Sequence, residues 1–224
     1  MKKALRVLLS LALILCLVFS FTSCGTSSNV GDSSADGNTA VITIKDYGTI
    51  TVQLEPDVAP ETVENFVSLA KSGFYDGLTF HRIIEGFMMQ GGDPEGTGMG
   101  GSDKNIKGEF SANGVQNNIK HERGVISMAR SGSGYEQYLS YGYKMEDLPA
   151  EAQSDVERAF NSASSQFFIM HETTPSLDGN YAAFGKVTDG MEVVDKICED
   201  ATPTDNNGTI PAAQQPVIES IVIK

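Results

Sequence analysis

The sequence predicts an all-β fold, a barrel or sandwich of short strands capped by few helices. Along residues 40–224, apolar residues alternate with polar ones or gather into short runs between Gly, Asn and Asp turn signals. Apolar residues at helical spacing, by contrast, are confined to a few segments. At 224 residues the chain suits one domain of ordinary size with extensions.

The N-terminus is such an extension. Lys2, Lys3 and Arg6 precede an almost unbroken apolar run from Val7 to Phe21. A basic segment followed by an apolar one too short for a comfortable membrane span is built like a secretory signal. Thr22, Ser23 and Cys24 follow, and this arrangement resembles the lipobox of bacterial lipoproteins, with Phe21 where an aliphatic residue is usual. The resemblance implies that residues 1–23 are a signal peptide and that Cys24 is acylated. The protein would then be extracytoplasmic and lipid-anchored to the bacterial cell membrane. An ordinary signal that leaves Cys24 as a free thiol, or an uncleaved anchor, are the alternatives. Residues 24–39, rich in Gly, Ser, Asp and Asn, read as a flexible tether, and the domain proper is expected over 40–224.

Charge and cysteines narrow the function classes. The net charge is −13, and loss of Lys2, Lys3 and Arg6 with the leader takes it to −16. Such a balance argues against nucleic acid as a partner and against a polybasic membrane contact. With Cys16 in the leader and Cys24 lipidated, Cys198 stands alone, so no disulfide framework is available and burial must hold the core together.

The domain opens on a hairpin: Ile42 and Ile44 alternate with polar residues, as do Ile50, Val52 and Leu54, around Asp46-Tyr47-Gly48. Pro60 starts a helix with Val63, Phe66, Val67 and Ala70 on one face, and Gly73 ends it. Phe80-His81-Arg82-Ile83-Ile84 and Phe87-Met88-Met89-Gln90-Gly91-Gly92-Asp93 read as two strands joined at Glu85-Gly86. Gly96, Gly98 and Gly101 formally spell GxGxxG, but no helical periodicity follows, so the segment reads as a glycine loop and not as a dinucleotide site. Gly124–Ala129, Gln166–Met170, Ala182–Val187 and Val217–Ile223 read as further strands, and Met191–Ile197 as a short helix with Cys198 buried at its end.

His81, His121 and His171 are scattered without carboxylate or cysteine partners at ligand spacing, so neither a metal nor another cofactor is expected. No GxSxG elbow marks a nucleophile. What remains is Arg82, a donor-only cation set among Phe and Met, which is costly to bury without a partner or a task. One reaction suits such a set. Rotation about a peptide bond to proline faces a resonance barrier of about 18–20 kcal/mol and breaks no bond. It needs an apolar pocket for the ring and a fixed donor that favours the twisted amide.

The blocks Phe80–Ile84, Phe87–Asp93, Ser127-Met128-Ala129, Ser165–Ile169 and Leu177-Asp178-Gly179 with Phe184–Val187 resemble the cyclophilin-type peptidyl-prolyl isomerases. The likeness runs in order from about Ile42 to Ile223. It implies a closed eight-stranded antiparallel β-barrel with two capping helices. By resemblance Arg82 is the catalytic guanidinium and Gln90 orients it, while Phe87, Met88, Phe168 and Leu177 wall the proline pocket. The backbone at Ala129-Arg130 and the side chain of Gln166 hold the substrate chain, with His81 as a polar neighbour. Tyr181 stands where the family often has His and is kept in the site. Ser176 replaces a frequent Trp, which puts cyclosporin-like inhibitor binding in doubt. Arg130 replaces a frequent Asn and is expected to serve through its backbone.

The largest departure is an insertion, residues 131–159, with Tyr135, Tyr138, Tyr141 and Tyr143 followed by a helix from Pro149. Leu148, Ala152, Val156, Ala159 and Phe160 form its apolar stripe. It is either a helical excursion packed on the barrel or a lid that grips clients. The expected partners are proline-containing segments of exported proteins, met by a monomer at the membrane surface. A non-catalytic module that captures proline-containing segments of a surface partner is the alternative.

Overall fold

The structure, a computed structural model, describes residues 37–224. The expectations for the signal peptide, Cys24 and residues 24–36 of the tether lie outside the described residues. Eight strands and four α-helices follow in the order β1 (Thr39–Ile44), β2 (Gly48–Leu54), α1 (Pro60–Lys71), β3 (Thr79–Ile84), β4 (Met88–Asp93), β5 (Val125–Met128), α2 (Glu136–Ser140), α3 (Ala150–Phe160), β6 (Phe167–Met170), β7 (Ala183–Asp189), α4 (Met191–Asp200) and β8 (Ile218–Ile223). One antiparallel sheet runs β3-β4-β6-β5-β7-β2-β1-β8. The anticipated hairpin pairs Ala40 with Val52 and Ile42 with Ile50, so both strands bury the same alternate residues. Strand β1 begins at Thr39, and the two residues before it bond to the sheet: Leu54 N–H donates to Asn38 O at 2.7 Å and Gly37 N–H to Lys224 O at 3.0 Å.

The expected closed barrel is found in the coarser form of an eight-stranded barrel-like sheet. Its outer strands, β3 and β8, share no ladder but a single bridge, Thr79 with Val217. Around that bridge Ile218 N–H donates to Leu78 O at 2.8 Å and Phe80 N–H to Pro216 O at 2.9 Å. The reason is where β8 begins. Its backbone meets only the start of β3, and Gly208 and Ile210 bond the rest of that edge: Ile83 N–H donates to Gly208 O at 2.8 Å and Ile210 N–H to His81 O at 2.9 Å.

Helix α1 drives Phe66 into a cluster of aromatic rings. Its centroid lies 5.3 Å from Tyr75, 5.5 Å from Phe167 and 5.2 Å from Phe184. A second, smaller apolar cluster of Met88, Val125, Phe168, Met170 and Ala183 lies apart from this core. Strand alternation separates the two, because Phe167 joins the core and Phe168 the second cluster, as Met89 and Met88 do on β4. The insertion packs as its stripe predicts, with Leu148, Ala152, Val156, Ala159 and Phe160 buried. Tyr138, Tyr141 and Tyr143 are exposed. Cys198 is buried, and desolvation with Asp195 and Glu85 nearby pushes its thiol up to about 12, so it stays protonated at neutral pH.

Helix α1 lacks a side-chain cap of its own, since Ala59 holds the cap position and Pro60 the first turn. Glu109, distant in sequence and buried, takes over. Its Oε2 accepts from Thr62 N–H at 2.8 Å and Thr62 Oγ1 at 2.7 Å, and its Oε1 from Glu61 N–H at 3.2 Å. A carboxylate there satisfies orphan N–H groups and complements the helix dipole. Glu109→Ala is expected to lower the free energy of unfolding by about 2 kcal/mol, and Glu109→Gln by less. Urea unfolding measures both, and equal midpoints for wild type and Glu109→Ala would contradict this account.

Candidate active site

Arg82 and Gln90 face each other across β3 and β4. Regular alternation would put Arg82 on the same face as Phe80, which is in the core. The pairing slips between them: Phe80 opposes Gly91 and Arg82 opposes Gln90, so His81 is the extra residue of a β-bulge. The bulge leaves Phe80 and Ile83 inside and turns Arg82 toward the second apolar cluster.

Five hydrogen bonds fix what the bulge aims. Arg82 Nη1 donates to Gln90 Oε1 at 3.2 Å, and Arg82 Nε donates to Asn207 O at 2.7 Å. Gln90 Nε2 donates to Gln166 Oε1 at 2.9 Å, and Gln166 Nε2 donates to Gly100 O at 2.7 Å and Gly98 O at 3.1 Å. A donor-only guanidinium at one end and acceptor-only carbonyls at the other leave each amide one consistent orientation. Burial lowers the pKa of Arg82 from its ordinary value while Tyr181 and Asp205 oppose that, and a guanidinium remains charged throughout the working range of pH.

The glycine loop that receives this chain is held by Asp93. Its carboxylate accepts from the N–H groups of Glu95 at 2.9 Å, Thr97 at 3.0 Å and Gly98 at 2.6 Å. Desolvation pushes the Asp93 pKa up, but these bonds together outweigh it and hold the carboxyl below its usual range. Gly92 has φ 83°, and a Cβ there would stand 2.7 Å from Ser165 O, so glycine is needed where β4 leaves the sheet. Among the described residues, the next helical element after the loop is a single 3₁₀ turn at Ser111–Asn113.

Two adjoining cavities result. One, of about 140 Å³, is lined by Arg82, Phe87, Met88, Gln90, Ala129, Arg130, Phe168, Leu177 and Tyr181. The other, of about 580 Å³, lies under the glycine loop and shares Gln90, Ala129 and Arg130 with it, adding Gln166, Ser131 and Ser162. The candidate residues thus converge, except that His81 lines neither cavity. It is 4 % exposed, and neither ring nitrogen has a hydrogen-bond partner among the described residues. Among the described residues, no group of three or more His, Cys, Asp or Glu could hold a metal ion.

His121 is a contributor that sequence reasoning passed over. Its ring stacks on Phe168 with centroids 6.1 Å apart and meets Tyr181 edge-on at 6.4 Å. Its Nδ1 lies 3.2 Å from Asp178 and its Nε2 3.2 Å from Ser127 Oγ, which fixes the ring behind the pocket floor. Scattered spacing gave no sign of this, because the contact joins a loop to β6.

The fold and site define an antiparallel, barrel-like β protein with an oriented guanidinium beside an apolar pocket. The family model "Cyclophilin type peptidyl-prolyl cis-trans isomerase/CLD" matches residues 39–141 and 150–223, and the chain belongs to that family. It is 41 % identical over 154 residues to peptidyl-prolyl cis-trans isomerase B of Bacillus subtilis, covering 69 % of this chain and 86 % of that one. A peptidyl-prolyl cis-trans isomerase of Helicobacter pylori J99 is 41 % identical over 162 residues, covering 71 % and 81 %. A cyclophilin type peptidyl-prolyl cis-trans isomerase of Cryptosporidium parvum, crystallised in the presence of the dipeptide Ala-Pro, superposes with a TM-score of 0.62 at 29 % identity, covering 83 % of this chain and 98 % of that one. The break in the family match, between 141 and 150, falls inside the insertion.

Both His81 and His121 carry pKa values lowered by burial, with Asp93 and Asp178 respectively opposing. The folded state therefore keeps them neutral where the unfolded chain, near pKa 6.5, begins to take up protons. Their contribution to stability is complete above about pH 6.5 and falls as pH drops through and below that value. Asp93, with its lowered pKa, adds a further loss below about pH 4. Urea midpoints between pH 8 and 5 should decline on acidification, and His81→Gln should flatten the decline. A flat profile for wild type would contradict the assignment.

Proposed function

We propose that this peptidyl-prolyl cis-trans isomerase works through Arg82, with proline-containing peptides as substrates. The observation that carries the reading is the geometry of Arg82: Nε and Nη1 are spent on Asn207 and Gln90, while Nη2 has no hydrogen-bond partner among the described residues. The guanidinium is thus oriented but keeps donors to offer. The proline ring sits among Phe87, Met88, Phe168 and Leu177, while the Ala129-Arg130 backbone and Gln166 hold the flanking chain. Arg82 then donates to the amide nitrogen as resonance is lost, or to the adjoining carbonyl, and stabilises the twisted state without proton transfer. The Ala-Pro dipeptide used with the Cryptosporidium parvum relative supports the substrate class.

Arg82→Ala is expected to fold normally and to lose about 10²–10³-fold in kcat/KM on a proline-limited refolding substrate. Full activity in a folded Arg82→Ala variant would sink the assignment. Gln90→Ala should lose less, since it removes the orienting amide and leaves the cation.

We further propose that Cys24 carries a lipid and that the clients are exported proteins. The support is the sequence of residues 1–24: the basic start, the apolar run, the small residues Thr22 and Ser23 and then Cys24. Mass spectrometry of the membrane-extracted N-terminus should show an acylated Cys24, and Cys24→Ser should leave the membrane fraction. An unmodified Cys24 in membrane-extracted protein would refute the anchor.

A further inference from the structure

Beside the backbone role expected of Arg130, its side chain contacts several parts of the site. That side chain is 3 % exposed. Nη1 and Nη2 fork onto Glu136, donating to Oε1 at 3.0 Å and Oε2 at 2.8 Å. Nη1 also donates to Ser131 O and Nε to Asn180 O, each at 3.0 Å. Its Cζ lies 4.8 Å from the Tyr181 ring centroid, 5.1 Å from Phe160 and 5.3 Å from Phe110.

These partners come from three places. Asn180 and Tyr181 belong to the loop that walls the smaller cavity, Phe110 and Phe160 to the core, and Ser131 and Glu136 to the insertion. Arg130 itself lines both cavities. Glu136 is held in turn, its Oε1 accepting from Ser133 N–H at 2.7 Å. Helix α2 buries no residue completely, so this ion pair is its strongest polar tie to the barrel. A desolvated guanidinium needs its carboxylate, and removing Glu136 would leave a buried cation free to swing toward water or another acceptor. Lysine could not replace it, because an ammonium cannot fork on the carboxylate and cover three rings at once.

We propose that Arg130 and Glu136 form a positioning pair through which the insertion sets the wall of the substrate pocket. Glu136 orients the guanidinium, and the guanidinium holds Tyr181 and the Asn180 carbonyl where they complete the pocket. The insertion is then a fixed component of the site, and substrate binding depends on a residue, Glu136, that lines neither cavity. This rests on the reading of the Arg82 pocket as the substrate site.

The test is steady-state isomerisation of a short proline peptide by the full-length chain, with folding checked by circular dichroism. Glu136→Ala is expected to raise KM about tenfold while kcat changes by less than about twofold. Arg130→Lys should raise KM to a similar extent, and the double variant should be no worse than either single one, since both break one device. Glu136→Gln keeps shape and one acceptor, should fold if Glu136→Ala does not, and should still raise KM about threefold. An unchanged KM in folded Glu136→Gln overturns the proposal, as does a kcat that falls at constant KM, the mark of a smaller folded fraction. KM effects that simply add in the double variant overturn it too. Arg82→Ala in the same assay separates the two readings. If it stays active, the pocket assignment fails. If it is inactive while the Glu136 variants keep wild-type KM, only the positioning pair fails.

Discussion

The β-bulge at His81 is the constraint on which the site depends. A strand allows a side chain only one of two faces, and regular alternation would have sent Arg82 inward with Phe80. One extra residue reverses the sense after Phe80, so the core keeps Phe80 and Ile83 while Arg82 is delivered to the outer apolar cluster. A guanidinium inside the main core would have no comparable set of partners. At its actual position it meets Gln90 across the ladder and the carbonyl of Asn207. The cost of the bulge is visible in His81 itself, whose ring is buried with neither nitrogen satisfied among the described residues.

From Arg82 the orientation spreads outward by hydrogen-bond polarity. Gln90 can offer its amide nitrogen to Gln166 only because its oxygen is taken by the guanidinium. Gln166 in turn faces the carbonyls of Gly98 and Gly100. Asp93 fixes that loop from beneath with backbone N–H bonds. A reaction that breaks no covalent bond needs this kind of support. With no acid, base or metal step to perform, the barrier can fall only through where dipoles and charges already point when the amide twists.

Arg130 and His121 make side-chain contacts that sequence reasoning did not anticipate. His121 stands behind Phe168, and Arg130 joins Tyr181 to Glu136. Neither contact follows from strand or helix periodicity, because each links segments that meet only after the sheet has curled. The insertion divides in the same way. Its apolar stripe at Leu148, Ala152, Val156, Ala159 and Phe160 was legible as a helix face, but the pairing of Glu136 with the pocket was not.

The sequence by itself determined the strands, the hairpin at Asp46-Tyr47-Gly48 and the helices from Pro60, Pro149 and Met191, though not α2, and its resemblance to a family pointed to the residues that line the smaller cavity. Those features are written in local alternation, in turn chemistry and in motif blocks whose order survives along the chain. Tertiary structure alone decided that β8 meets β3 at one bridge, with Gly208 and Ile210 bonding the remaining edge. It alone decided that Glu109 caps a helix 47 residues away. It also decided which face Arg82 takes, because a bulge is a mismatch between two strands and leaves no mark on either one. Periodicity reports what a segment wants to bury. Which partner it then meets, and with what register, is settled only when the strands pair and the long-range contacts compete.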